Sequence, residues 1–348
     1  MWRKRHIAHK FKHKIKRKNV NKQYFVGAQP ASDSIKKIQK TNKKSDLEKV
    51  KIIAPENFSL INNTEEVALF FNDIKKYLVR KNRSNVFLFF DLSRVKIVTI
   101  DSIIYLLAII RDLQVVGLTK HQFSGNLPAN GDARRKFEES GFLSFVNSKI
   151  GAINTNANKV TIRTGVSNDS NVLKEICDFI IQKAGCTKAE TKFVYVMMAE
   201  MMYNTSEHAY QDKEFSRINK NWYVFVETEN ACIKITFLDT GLGIPKTMRK
   251  TWGEILAGRP ENKLVESALN GEFRSETKLV YRNNGLPTIK KMAESGDIQR
   301  LDLISSKAYC SIFHPNNQAE MSSVEIKNPI MGTMFYWEIP FKNLQKGR

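Results

Sequence analysis

Residues 199–210, AEMMYNTSEHAY, set Glu200, Asn204 and His208 four residues apart inside a segment that otherwise reads as a buried helix. At about 100° per residue, Glu200 and Asn204 share a stripe with Phe193, Val196 and Met197, so two hydrogen-bonding groups interrupt an apolar face. The chain must fold so that this face is covered while its polar groups still find partners, because a buried polar group left unpaired costs free energy. A metal, another part of the core and a ligand are the three ways to supply those partners.

This segment belongs to the second of two structured units. Thr187 and Glu190 form a capping-box pattern at its start, and the helix before it, SNDSNVLKEICDFIIQKAG, closes at Gly185. NWYVFVET and ACIKITFLD follow as a hairpin turning at Glu229 and Asn230. After a long variable segment come a helix from Gly285 and the strands LDLIS, AYCSIF and TMFYWEI. In the first unit, NFSLI and NVFLFFDLS read as strands and NTEEVALFFNDIKKYLVRK as a helix. IDSIIYLLAIIRDLQVVG reads as a second helix with Asp101 and Ser102 as natural caps, and RRKFEESGFLSFV as a last one stopped by Gly141. The expected division is a basic, disordered tail over residues 1–52, an α/β domain over 53–150 and a further α/β domain over 160–348.

Charge sets the tail apart. The formal net charge is +21, and residues 1–51 alone hold 17 Lys/Arg against 3 Asp/Glu. Ile7, Phe11 and Ile15 recur every fourth residue among the basic ones, the pattern of an amphipathic helix that a partner would induce. A solvated tail, a nucleic-acid contact through phosphate neutralisation and an anionic membrane surface are all open readings. The remaining chain, in a sequence that is 42% hydrophobic, is long enough for two ordinary cores.

Cys177, Cys186, Cys232 and Cys310 show no pairing pattern, so reduced thiols and a cytoplasmic setting are expected. The longest apolar stretch is broken by Asp91, Arg94, Lys96 and Asp101, short of the roughly 18 apolar residues a membrane span needs. The charged N-terminus lacks the apolar core of a secretory signal. Phosphate-loop, zinc-helix and nucleophile-elbow motifs are all absent.

DTGLGIP, Asp239 to Pro245, stands where a strongly apolar strand ends. A carboxylate followed by two glycines lets the backbone approach a flat ligand, and Asp239 can accept a hydrogen bond from an exocyclic amine. As a lone turn this is weak evidence. Together, E-x-x-x-N-x-x-x-H-A, D-x-G-x-G-I-P, the later RNNGL and the closing GTMFYWEIP resemble the GHKL or Bergerat-fold ATP-binding family of gyrase, heat-shock chaperone, histidine kinase and mismatch-repair proteins. The motifs keep the family's order over residues 160–341.

The resemblance implies an α/β sandwich, a mixed sheet with helices on one face, that binds ATP and Mg²⁺. It implies that Asn204 ligates the Mg²⁺ and that Glu200 orients or deprotonates the attacking group. Asp239 would bind the adenine amine beside Gly241, Gly243 and Ile244. Asn284, Gly285 and Leu286 would open a helix facing the phosphates, and Thr333 would close the adenine end. His208 and Arg282 are further candidates, with Arg274 and Ser275 in a lid over residues 246–281. Asn283 departs from the glycine common at the start of the second glycine box, though Asn tolerates left-handed backbone geometry well.

The layout is similar to anti-sigma-factor serine kinases, and residues 53–150 are similar to STAS-type domains, in whose antagonists an Asp-Ser step carries a phosphoserine. Here that step is Asp101 and Ser102, followed by Ile103 and Ile104 rather than a small residue and glycine, so Ser102 is a candidate phosphosite or a plain cap. The expected function is an ATP-binding regulatory protein with Mg²⁺-dependent ATPase or serine-kinase-like activity coupled to a STAS-like module. A regulatory protein or a second copy of the chain is the expected partner. The alternative is a nucleotide-gated binding module with negligible turnover, its tail docking nucleic acid in a stress or phage-defence setting.

Overall fold

The computed structural model describes residues 48–80, 85–147, 157–210, 219–256, 258–272 and 285–345. Ile7, Phe11 and Ile15 of the basic tail, and Arg274, Ser275, Arg282, Asn283 and Asn284, lie outside the described residues. The protein is of mixed α/β type. Among the described residues, no helix is long and apolar enough to cross a membrane.

The first unit starts earlier than expected. Strand β1, Glu48–Ile53, pairs in parallel with β3, Val86–Asp91, so residues 48–52 are sheet rather than tail. Its Lys and Glu residues point outward from a sheet edge, which is why the segment reads as a continuation of the basic tail. β5, Phe123–Gly125, completes a sheet of order β1-β3-β5, and a two-residue pair, β2 Asn57–Phe58 with β4 Ile97–Val98, lies beside it.

Helix α1, Thr64–Val79, packs on α2, Ile100–Val115. In α2 nearly every residue from Ile100 to Leu113 is buried, on all sides of the helix. A helix that is apolar all round must be covered all round. Helices α3, Gly131–Glu139, and α4, Phe142–Val146, follow, with Gly141 between them in left-handed geometry (φ 85°), so the expected single helix is two.

The second unit is built on a seven-stranded sheet. Its strands are β6 Lys159–Gly165, β7 Trp222–Glu229, β8 Cys232–Asp239, β9 Arg300–Ser305, β10 Ala308–Phe313, β11 Glu320–Glu325 and β12 Thr333–Pro340, in the spatial order β11-β10-β9-β12-β8-β7-β6. Every neighbouring pair is antiparallel, which corrects the expected mixed sheet. The reason is topological. β8 and β9 run the same way, as a helical crossover requires, but β12 inserts between them antiparallel to both. The β7–β8 hairpin turns at Asn230 and Ala231, one residue later than expected, both with positive φ as a tight two-residue hairpin turn needs.

Both faces of this sheet are buried, and the alternation is visible strand by strand. Trp222, Val224, Ile235, Phe237, Phe335 and Trp337 point to one face, under α5 Ser170–Ala184, α6 Lys192–Asn204, α8 Glu261–Asn270 and α9 Gly285–Glu294. Tyr223, Phe225, Leu238, Ile304, Met334 and Tyr336 point to the other and share one apolar cluster with α1 and α2. Helices of the second unit therefore cover one face, and the first unit, chiefly through its own helix α2 against β7 and β8, covers the other. Each fully buried Leu, Ile or Phe in these layers contributes roughly 1.5–3 kcal/mol.

Candidate functional site

Thr187 and Glu190 make reciprocal capping-box bonds, Thr187 N–H to the Glu190 carboxylate at 2.6 Å and Glu190 N–H to Thr187 Oγ1 at 3.4 Å, but in the turn before α6 and not at its start: the helix opens at Lys192, with Thr191 in the cap position and no side-chain cap bond. The core side of α6 is Val194, Met197, Met198, Met201 and Met202. Phe193, Val196, Glu200 and Asn204 lie one stripe over, half-buried rather than fully covered, because that stripe faces the start of α9. There, a Cβ on Gly285 would lie 3.0 Å from Glu200 Oε2 and 3.3 Å from Asn204 Nδ2, so any larger residue would require both side chains to give way by a few tenths of an ångström.

After Asn204 the helix widens into a π turn, Thr205–Ala209, a feature common where helices carry function. The turn delivers Ala209 to the D-x-G loop: Leu242 N–H donates to Ala209 O at 2.8 Å, and a Cβ on Gly241 would lie 2.4 Å from the same oxygen. The two motifs are thus one packed unit, and Gly241 serves this contact rather than lining the open space. His208, in the same turn, has an exposed side chain on the rim, edge-on to Tyr203 at 6.3 Å. Partial desolvation lowers its pKa against the opposing pull of Glu207, which favours the neutral imidazole.

Asp239 ends β8. Its carboxylate accepts N–H bonds from Gly241, at 2.8 Å, and from Thr333, and burial pushes its pKa up to about 7. Gly243 leads into α7, Ile244–Trp252, whose first N–H donates to Ser305 Oγ at 2.9 Å. Ser305 also bonds Gly332 O and Thr333 Oγ1, each at 3.1 Å. One serine at the end of β9 therefore joins the glycine loop to the start of β12.

These groups surround a cavity of about 290 Å³. Asn204, His208, Asp239, Gly243, Ile244, Gly285, Leu286 and Thr333, all singled out in the sequence, line it. Met201, Phe237, Met248, Trp252 and Phe335 add apolar wall, with Thr247 and Thr251 among the remaining lining residues, which suits a ligand with a flat apolar body and a few polar edges. Glu200 stands behind Gly285 next to Asn204, with its carboxyl pKa raised by burial. α7 and α8 occupy much of the expected lid, so 246–281 is in large part helical.

Sequence reasoning missed Ser305, Gly332, Met248 and Trp252. GTMFYWEIP contained Gly332 without a role for it, and the two apolar side chains carried the only other signal, a wide apolar face on α7. A wider depression, about 550 Å³, lies along β6 and α5, but its charges are already matched, Arg163 with Glu175 and Lys174 with Asp178.

Asp101 and Ser102 do not cap their helix, whose cap position is Thr99. They reach sideways instead: Ser102 Oγ accepts the Leu60 N–H at 2.9 Å and Asp101 Oδ2 the Ile61 N–H at 3.0 Å. Ser102 is fully buried, on the sheet face opposite the cavity. Among the described residues, no group of three or more His, Cys, Asp or Glu could hold a metal ion. The chain matches no protein-family model and no curated protein.

Proposed function

We propose that this chain is an ATP-binding regulatory protein, its C-terminal unit a GHKL-type, Bergerat-fold ATPase domain and its N-terminal unit a STAS-like domain. One observation carries this reading: Asn204, Asp239, Gly243, Gly285 and Thr333, drawn from four separated motifs, converge on one cavity whose lining includes a buried carboxylate and the first residue of a helix.

The Asp239 carboxylate accepts the adenine amine, and the apolar walls take the ring. The α9 N-terminus, whose first residue Gly285 lines the cavity, favours the phosphates through the N–H groups of its first turn. Mg²⁺ fits the donor set, since this small oxygen-seeking ion keeps phosphates and waters as most of its ligands and asks the protein for one or two oxygens, here Asn204. When bound it neutralises developing charge on the phosphates. Glu200, one turn from Asn204 and with its pKa raised by burial, takes the proton of a water attacking the γ-phosphorus while the β–γ bridging oxygen leaves with ADP.

The burial of Ser102 favours hydrolysis or nucleotide-gated binding over phosphorylation of the chain's own Asp-Ser step. Incubation of the full chain with Mg²⁺-ATP, scored for ADP release and for new phosphosites by mass spectrometry, tests the reading. ADP release should fall at least about 100-fold in Glu200→Ala while ADP affinity stays within about twofold, as removal of a general base requires. Equal turnover by both proteins removes Glu200 from the role. Binding without release supports the nucleotide-gated module.

A further inference from the structure

The loop before β12, residues 326–332, leads directly into the cavity wall at Thr333, and the first unit holds it along its length. Glu65 of α1 accepts the Lys327 N–H at 2.8 Å and the Asn328 N–H at 3.3 Å. Lys75 Nζ donates to Pro329 O at 3.0 Å. Tyr105, at the centre of α2, brackets Met331: its hydroxyl donates to Met331 O at 3.1 Å and accepts the Met331 N–H at 2.6 Å. Tyr105 is fully buried in the run IIYLLAII, where a hydroxyl is tolerated only if it finds partners.

The next residue shows why that placement matters. Gly332 has φ 84°, and a Cβ there would lie 1.9 Å from Asp239 O. Gly332 O accepts from Ser305 Oγ, and Thr333 N–H donates to the Asp239 carboxylate. Holding both polar groups of Met331 fixes the peptide planes on either side of it, and so the backbone that presses on Asp239.

We infer that Tyr105 is a positioning residue for the cavity, acting through Met331 and Gly332 to hold the Asp239 carboxylate and the Thr333 wall in register. The first unit is then part of the site's scaffold and not a detachable neighbour. The expected effect on ligand choice rests on the adenine-nucleotide reading above; the effect on the loop does not.

The test compares full-length wild type, Tyr105→Phe and Tyr309→Phe. Tyr309 Oη lies within donating distance of Ile61 O, at 3.2 Å, and of Asp302 Oδ1, at 3.1 Å, so its loss alters the same interface away from the 326–332 loop. Two readouts are taken: amide exchange over 331–333 and 239–243 without ligand, and the ratio of ADP to GDP affinity by calorimetry. Tyr105→Phe should raise exchange in both segments and lower the ADP preference, each roughly tenfold, the worth of about one hydrogen bond. Tyr309→Phe should leave both unchanged even where it lowers the melting temperature.

Unchanged exchange in Tyr105→Phe, or an equal rise in Tyr309→Phe, overturns the inference. So does an unchanged preference in a wild type that does favour ADP. A wild type that binds neither nucleotide sinks the adenine reading, and the exchange result then decides the role of Tyr105 alone.

Discussion

Asp112 and Asp239 lie on either side of Thr240, and burial pushes the pKa of each up to about 7. Asp112 faces inward from α2. It accepts the Asn219 N–H at 2.8 Å, with the Thr240 hydroxyl beside it and Tyr223 bonded to the same Asn219. Asp239 has two backbone N–H partners and, beyond them, a cavity. A titration shift caused by burial is therefore shared by a structural carboxyl and a site carboxyl. What separates them is empty volume on one side, which a ligand can fill.

The comparison can be broken most sharply through pH. The Asp112 carboxyl ionises near pH 3.8 in the unfolded chain and near 7 in the folded one, so between those values the folded state holds a proton that the unfolded state has lost. Stability from this group is fully present below pH 4 and is lost as pH rises to about 7, on the order of 4 kcal/mol at most. Asp112→Asn, which keeps an acceptor for Asn219, should gain stability relative to wild type across that window in urea titrations. A constant difference from pH 4.5 to 7.5 would place the Asp112 titration elsewhere.

Ligand affinity should divide the pair next. Asp239→Asn should weaken ADP binding by about 10- to 100-fold, the worth of a hydrogen bond to a charged acceptor, whereas Asp112→Asn should stay within about threefold. Equal losses by calorimetry would mean that the cavity does not distinguish the two carboxyls. The smallest effect is expected at Ser102. Ser102→Ala leaves the Leu60 N–H unpaired and should cost about 1–3 kcal/mol of stability, with ADP affinity and phosphate labelling unchanged.

Much of this arrangement could be read from the sequence because it rests on short-range rules. The Thr187–Glu190 box in the turn before α6, the left-handed Gly185 and the alternating strands β7, β8 and β12 follow from local pattern. The strands that escaped notice, β1, β4, β5, β6 and β11, are short or sit at sheet edges, where outward Lys, Glu, Ser and Thr hide the apolar alternation. At the site, motif spacing marked Asn204, Asp239, Gly285 and Thr333, and the fold brings them together. Ser305 and Tyr105 stayed hidden because their roles depend on partners 61 and 226 residues away. Asp101 and Ser102 were misread for the same reason: at a helix start, a side chain that serves a distant backbone looks like one that serves its own.

The insertion of β12 between β8 and β9 fixes an order of assembly. While the ribosome is still making the chain, β8 has no partner on that side, Asp239 lacks the Thr333 N–H, and Tyr105 has no Met331 to hold. The central strand, the cavity wall and the grip of the first unit therefore all arrive together with β12. Contacts this distant in sequence form slowly, so the nascent chain carries two open strand edges and an unfinished site until that step.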